Sequence, residues 1–352
     1  MATTQTLGNV LDQNSAAIEN KVYYDRLLLK RLLPNLLFAK YGQKRPYNRH
    51  EGSTVNFRRF DSLAPALTPL TEGVTPSGNA ISITSVQATI QQYGDFVEIS
   101  DRLDMEGIDP VVTEMTEVLG EQAGNTVDLA VRDVVVAGTN VLYAGGRAAQ
   151  QSLTSSDKIS AAEVKKAVLA LKKANAKPLE DGYYIGIIDP SIAYDLQGDS
   201  LWQDCSKYNG AENIEKGEVG RLAGVRFVVT TNVKKAPIYA KTSDEAVVDG
   251  KDYYTLSNGV YTKVAEPATA NIASYYEVSF EAHCAMIIGR DAYGVVDIDG
   301  SSKPEVIVKP AGSAGSADPL NQRSTVGWKA EFTAARLNEL AMIRLECAAT
   351  EA

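Results

Sequence analysis

Residues 68–78, TPLTEGVTPSG, constrain the fold more than any other stretch of this chain. Pro69, Pro76, Gly73 and Gly78 sit among hydroxyl and carboxyl side chains, with only Leu70 and Val74 as large aliphatics. Proline lacks the backbone N–H that a helix interior or a central strand needs, so the stretch forms neither. The flanks, GSTVNFRRFDSL (52–63) and NAISITSVQATIQQYGDFVEIS (79–100), carry the period-two alternation of strands. The expectation is two long strands around a polar, proline-stiffened tip made by Thr68, Pro69, Leu70, Thr71, Glu72, Gly73, Val74, Thr75 and Pro76. Such a projection is either a catalytic loop or an arm reaching for another subunit.

Charge and composition narrow the choice. At 352 residues, 44% apolar and 22% charged, the chain is an ordinary globular protein with length for about two domains. Its net charge of −9 argues against a dedicated nucleic-acid binder. The charge is uneven: residues 1–60 hold ten basic and four acidic residues, a net +6, which leaves −15 on the remainder. A basic arm on an acidic body docks on acidic neighbours or faces a polyanion, with a solvated helix face as the plain alternative. Lys44, Arg45, Arg49, Arg58 and Arg59 are its candidate contacts. The 17 tyrosines against 7 phenylalanines suit wet or shared interfaces, because tyrosine buries area yet keeps a polar tip. The N-terminal residues show no secretory signal, and no run has the roughly 20 apolar residues of a membrane span. Cys205, Cys284 and Cys347 are odd in number and far apart, which fits reduced thiols in a cytosolic compartment.

Along the chain, helical spacing marks residues 17–33 up to Pro34 and, most clearly, 109–138. In the second segment Asp109 fits an N-cap, Pro110 fits N1, and Gly138 fits a C′ glycine. Val111, Met115, Val118, Leu119, Val127, Val131 and Val134 or Val135 form its apolar stripe, over roughly 40 Å. Gly120 and Gly124 lie four apart on one face, and each costs helix stability by about 1 kcal/mol. Close approach of another backbone is the expected compensation. Residues 139–157 read as loop. Ser160 and Glu163 make a capping box for the next helix, which stops before Pro178. A buried strand (183–190), a short helix with proline at N1, and a turn and strand (217–233) follow, with 234–271 a polar loop or hairpin. Strands return at 275–289, 294–299 and 304–309, and a Gly/Ser/Ala stretch (310–319) precedes 324–348. The chain is α+β, with a small mixed domain inserted in a first domain.

No catalytic constellation holds. His283 adjoins Cys284, but neighbours on a strand face opposite ways, and no second pair has zinc spacing. DIDG (297–300) has Val295 and Val306 where a calcium loop needs its first acid and its closing Glu. There is no P-loop, nucleophile elbow or HExxH. No cofactor, metal site or enzymatic activity is expected.

Four stretches in order resemble the major capsid proteins of tailed bacteriophages, the Hong Kong 97-type fold. FRRFDSLAPALTPLTEGVTP (57–76) looks like the family's extended loop, and EVGRLAGVRFVVTTNV (218–233) like a strand of its axial domain. MIIGRDAYGVVDIDG (286–300) looks like the peripheral domain's return strand, and DPLNQRSTVGWKAEFTAARLNELAMIRLE (318–346) like the closing segment. The resemblance implies an N-terminal arm (1–50), extended loop with adjoining strands (51–108), spine helix and linker (109–155), axial domain (156–274) and returning peripheral strands (275–352). It implies pentamers and hexamers in an icosahedral shell around double-stranded DNA, assembled in the bacterial cytoplasm, with the loop tip lying on a neighbouring subunit. The implied partners are copies of the chain, a separate scaffolding protein, a portal protein, a decoration protein and weakly contacted DNA, with no membrane. Some relatives join subunits through a lysine in the loop. No lysine lies between Lys44 and Lys158, so no such bond is expected from this loop. The rival readings are a bacterial encapsulin-type nanocompartment shell and, more remotely, a hydrolase.

Overall fold

The computed structural model of the protein describes residues 28, 36–47, 52–60, 63–70, 72–75, 77–102, 111–179, 182–202, 218–242, 251–257, 259–264, 275–296, 304–310, 312–313 and 319–351. Two compact units result: Met1–Val135 with Tyr293–Leu337, and Val136–Ala292 with Asn338–Ala352. The chain therefore crosses between them three times. The expected domain boundaries at 156 and 274 do not coincide with these units. The strand after 274 belongs to the second unit because it pairs there with three strands of that unit's own sequence, and the last strand joins it.

The first unit is organised on helix α1 (Val111–Val136). Its buried face is Thr116, Leu119, Gly120, Ala123, Gly124, Val127, Asp128, Val131 and Val135, spaced by three and four as a 3.6-residue period requires. Val118, assigned to the stripe from sequence, is 56% exposed. It lies one residue off the face that Thr116 and Leu119 define. Gly138 does not take the left-handed conformation of a C′ glycine. The helix end is satisfied instead by arginines from distant strands. Arg336 Nη1 donates to Val134 O at 3.0 Å, and Arg344 Nη1 donates to the carbonyls of Val136 and Gly138. Cations at a C-terminus also complement the helix dipole. Asp109 and Pro110 lie outside the described residues.

Three small sheets belong to the same unit. Strands β2 (Thr54–Phe60) and β3 (Ile83–Thr89) pair antiparallel, from Thr54 opposite Thr89 to Phe60 opposite Ile83. Strand β4 (Gln91–Ser100) pairs with β15 (Arg323–Phe332), which pairs with β14 (Glu305–Lys309). Strand β1 (Gln43–Arg45) runs parallel to β13 (Tyr293–Val296), which pairs with β16 (Ala334–Arg336). The 79–100 run, read as one strand, is two: it breaks at Ile90 and changes sheets. Gly94 opposite Lys329 and Gly327 opposite Phe96 explain the close pairing after the break. A Cβ at either would stand within 3.0 Å of its partner strand.

The second unit is one nine-stranded sheet with helices α2 (Ala161–Lys173) and α3 (Pro190–Gln197). Its hub is β12 (Tyr276–Ile288). This strand pairs with β17 (Met342–Ala348), β6 (Tyr184–Ile188), β9 (Lys235–Lys241) and, at Tyr276, β10 (Tyr253–Ser257). Strand β11 (Val260–Val264) closes a hairpin with β10, and β8 (Val225–Val229) joins β6 to β7 (Glu218–Leu222). Ala223 and Gly224 both take positive φ, the geometry of a two-residue hairpin turn, between β7 and β8. The segment read as loop at 139–157 contains a short strand, β5 (Val141–Tyr143), parallel to β17. The polar 234–271 stretch contains β9 as well as the hairpin. Ser160 accepts from Glu163 N as expected, but the Glu163 carboxylate pairs with Lys166 Nζ at 3.0 Å, so only the serine half of the expected capping box forms. Pro190 opens α3 as expected, and Asp189, not assigned from sequence, is its N-cap.

Candidate functional site

The β2–β3 hairpin is fixed at its base and uncovered beyond it. Val55 and Phe57 alternate inward with exposed Thr54, Asn56 and Arg58. They pack in one cluster with Ala88, Val296, Ala335 and Leu337. Phe57 is fully buried, and its ring lies over Gly294, where a Cβ would come within 2.4 Å of ring carbons. Arg59 Nη1 donates to Leu337 O at 3.0 Å. The base is thus held by ring packing, aliphatic contacts and a charged hydrogen bond.

From Phe60 onward the pattern changes. Every described residue from Phe60 to Ile83 is exposed, including Phe60 (66%), Leu67 (86%) and Leu70 (77%). Leu63, Val74, Ile81 and Ile83 are uncovered as well. The ladder ends at Phe60–Ile83, so the expected long strands are shorter and the loop between them longer. Thr68, Pro69, Leu70, Glu72, Gly73, Val74 and Thr75 belong to this loop, and Gly73 has positive φ in its turn. Thr71 and Pro76 lie outside the described residues. Scattered surface leucines are ordinary, but a contiguous apolar run marks an interaction site.

A profile of the family described as phage capsid protein matches residues 83–345. The chain belongs to the phage capsid protein family. The capsid of Ralstonia phage GP4 is similar at 14% identity, covering 88% of this chain and 87% of that one, with a TM-score of 0.62. The capsid of Cyanophage P-SCSP1u follows at 16% identity, 90% and 89% coverage and a TM-score of 0.57. The Cyanophage Pam1 capsid stands at 15%, 91% and 93%, and 0.55. No curated protein matches. The capsid protein's fold is the α+β Hong Kong 97-type fold of tailed-phage major capsid proteins.

The basic residues of the capsid protein fall on two strands. Lys44 is exposed and Arg45 half-buried on β1; Arg58 is exposed and Arg59 half-buried on β2. Arg59 serves the arm's own base rather than an outer surface. Arg49 lies outside the described residues. At Gly120 a Cβ would stand 2.7 Å from Leu28 O, so the backbone that approaches this glycine is the chain's own N-terminal segment.

Sequence reading missed a polar pin two turns further along the helix. Asp128 is fully buried on α1 and accepts from Phe38 N at 2.7 Å. Tyr293 Oη donates to Phe38 O, and burial, with Asp128 and Tyr41 nearby, pushes its phenol upward. The two bonds tie the segment at Phe38 between helix and β13. The one available signal was an aspartate at the helical phase of Val127, Val131 and Val135.

In the second unit His283 is fully buried, with Nδ1 3.2 Å from Asp189 Oδ2. Burial lowers its pKa against the opposing pull of Asp189. Cys284 and Cys347 are buried, and burial pushes the Cys347 thiol up, away from reactive thiolate chemistry. Cys205 and DIDG lie outside the described residues. Among the described residues no group of His, Cys, Asp and Glu could hold a metal, and no helix is long and apolar enough to cross a membrane.

Proposed function

We propose that the chain is a shell subunit without catalytic activity, assembling as pentamers and hexamers into an icosahedral capsid around double-stranded DNA. The observation that carries this reading is the anchored arm whose distal residues, Phe60 to Ile83, find no cover in their own chain. Fully burying each large apolar side chain contributes about 1.5–3 kcal/mol. A second copy supplies that cover, and closed symmetry repeats the contact around a shell. The arm tip at Thr68–Pro76 is then an intersubunit contact, and the basic segment around Lys44, Arg45, Arg49 and Arg58 faces acidic neighbours. Packaged DNA is the second, weaker partner for those residues. A separate scaffolding protein, a portal at one vertex and a decoration protein complete the set, with assembly in the bacterial cytoplasm.

Sedimentation velocity on the purified chain, with negative-stain imaging of the same fractions, tests the proposal. Shells, pentamers or hexamers are expected, alone or on co-expression with the scaffolding protein. A monomer that persists at high concentration under both conditions refutes it. A cargo enzyme in place of DNA inside the particles would replace it with the nanocompartment reading.

A further inference from the structure

The second unit carries an aromatic face of a different kind. Tyr254 on β10 is opposite Tyr276 on β12, and Leu256 is opposite Tyr261 on β11. Tyr239 on β9 is opposite Val278 on β12. The period of two places all of these on one side of the sheet. The rings converge: Tyr239 stacks on Tyr261 at 4.0 Å, meets Tyr254 edge-on at 4.9 Å, and Tyr261 meets Tyr276 at 5.2 Å. Strands β9 and β11 are separated in the sheet by β10 and β12, so rings from them can stack only if the sheet curls toward this side. The face is therefore concave. It is also open: the four tyrosines are half-buried, and Leu256 (43%) and Val278 (40%) are exposed at its border. Lys241, exposed, stands two residues beyond Tyr239 on β9, opposite Tyr276.

A concave tyrosine face is a receptor for extended, proline-containing chain, whose stiffness lowers the ordering cost of docking. The chain contains such a ligand. Residues 63–70, LAPALTPL, carry no charge, hold Pro65 and Pro69, and are exposed throughout with no strand partner. In a polyproline conformation Ala64, Leu67 and Leu70 would line one edge at about 9 Å intervals, from a rise of about 3.1 Å and three residues per turn. Glu72, the only charged residue from Ser62 to Gly94, follows at once. Lys241 is a complementary cation at the border of the tyrosine face; Lys263, opposite Tyr254 on the same side, already pairs with Asp252 at 2.6 Å.

We infer that the Leu63–Leu70 segment of one copy docks on the concave face formed by Tyr239, Tyr254, Tyr261 and Tyr276 of another copy, with Glu72 paired to Lys241. The inference rests on the proposal that the arm is an intersubunit contact, and names its receptor. The first test is photo-cross-linking in the full chain, with benzoylphenylalanine at position 67 in assembled particles. A link between copies that maps to residues 239–278 is expected. A link to another copy elsewhere overturns the assignment and leaves the arm's role standing, whereas no link between copies overturns both. The second test needs no particles. A synthetic peptide of residues 63–73 is titrated into the full-length chain, followed by hydrogen exchange. Protection of 253–264 and 276–278 is expected. Lys241→Glu should weaken binding about two- to fivefold, the range of an exposed ion pair. A Glu72→Lys peptide should recover that loss. Unchanged exchange over both segments at saturating peptide, or equal binding by all four pairings, overturns the inference.

Discussion

Shortening the Phe57 side chain should detach the arm at its root. Phe57 is fully buried among Val55, Ala88, Val296, Ala335 and Leu337, and its ring occupies the space that a side chain on Gly294 would take. Phe57→Ala removes the ring and leaves a cavity, a change that costs about 3–5 kcal/mol when the surroundings cannot collapse. Gly294→Ala attacks the same contact from the other side. Its Cβ would lie 2.4 Å from two ring carbons, so the ring must move by roughly an ångström, at a cost of about 1–3 kcal/mol typical of overpacking. The two changes share one space, so they should not add. In the double variant the new methyl enters the vacated cavity, and the combined cost should fall below the sum by on the order of 1–2 kcal/mol. Urea denaturation of the four chains measures this cycle, and hydrogen exchange over 54–60 and 83–89 localises it. Additive costs within error, or Phe57→Ala with the parent's midpoint and exchange, would refute the claim that ring and glycine jointly anchor the arm.

The remaining predictions concern buried charge and the loop's chemistry. His283 is neutral when folded because burial lowers its pKa, so the unfolded chain binds more protons below the imidazole's ordinary value. Stability should then fall as pH drops below about 6.5, with a slope approaching 1.4 kcal/mol per pH unit per proton. Asp189 and Glu281 soften that slope and Lys235 steepens it. His283→Gln should flatten the slope in denaturation curves taken from pH 7.5 to 5.5, and an unchanged slope would remove His283 as its source. Arg344 pairs with buried Glu346 (Nε to Oε1, 2.6 Å) while capping α1, so Arg344→Met should destabilise the fold by up to about 3–5 kcal/mol, the Gln150 hydrogen bond to Glu346 and the upward push of burial on its pKa offsetting part of the loss. Adding Glu346→Gln should recover part of it, and denaturation midpoints that move equally with and without the second change would contradict this. Particles boiled in detergent should run as single chains, since the loop offers no lysine; a covalent ladder traced to residues 45–157 would contradict that chemistry.

Local chemistry was legible where one residue decides one geometry. Pro190 at the start of α3 and Ser160 ahead of Glu163 each declare themselves within four residues, whereas strand β7 and the place of the turn at Ala223–Gly224 did not, since an alanine at positive φ carries no signal of its own. The exposed tip was equally plain, because Pro69 and Pro76 bar a regular ladder. Partnership was not. Nothing in the 79–100 run says that Ala88 faces Val55 while Gly94 faces Lys329 on a strand more than two hundred residues away. The capping of α1 by Arg336 and Arg344 was hidden for the same reason, and Gly138 offered a closer, incorrect candidate. Asp128 was invisible as a pin because its partner, the Phe38 amide, has no side-chain signature.

The three crossings between units also set a schedule for synthesis. Strand β4 leaves the ribosome early but closes on β15, and the arm's root needs Val296, Ala335 and Leu337. In the second unit β12 waits for β17 along its whole C-terminal half. The first unit is not complete until Leu337 has emerged, nor the second until β17 has, and such non-local closure is intrinsically slow. A chain cut short anywhere before residue 337 lacks part of the cluster that holds the hairpin. The same threading that makes folding late therefore acts as proofreading: only a chain synthesised through Leu337 can offer a rooted arm to its neighbours.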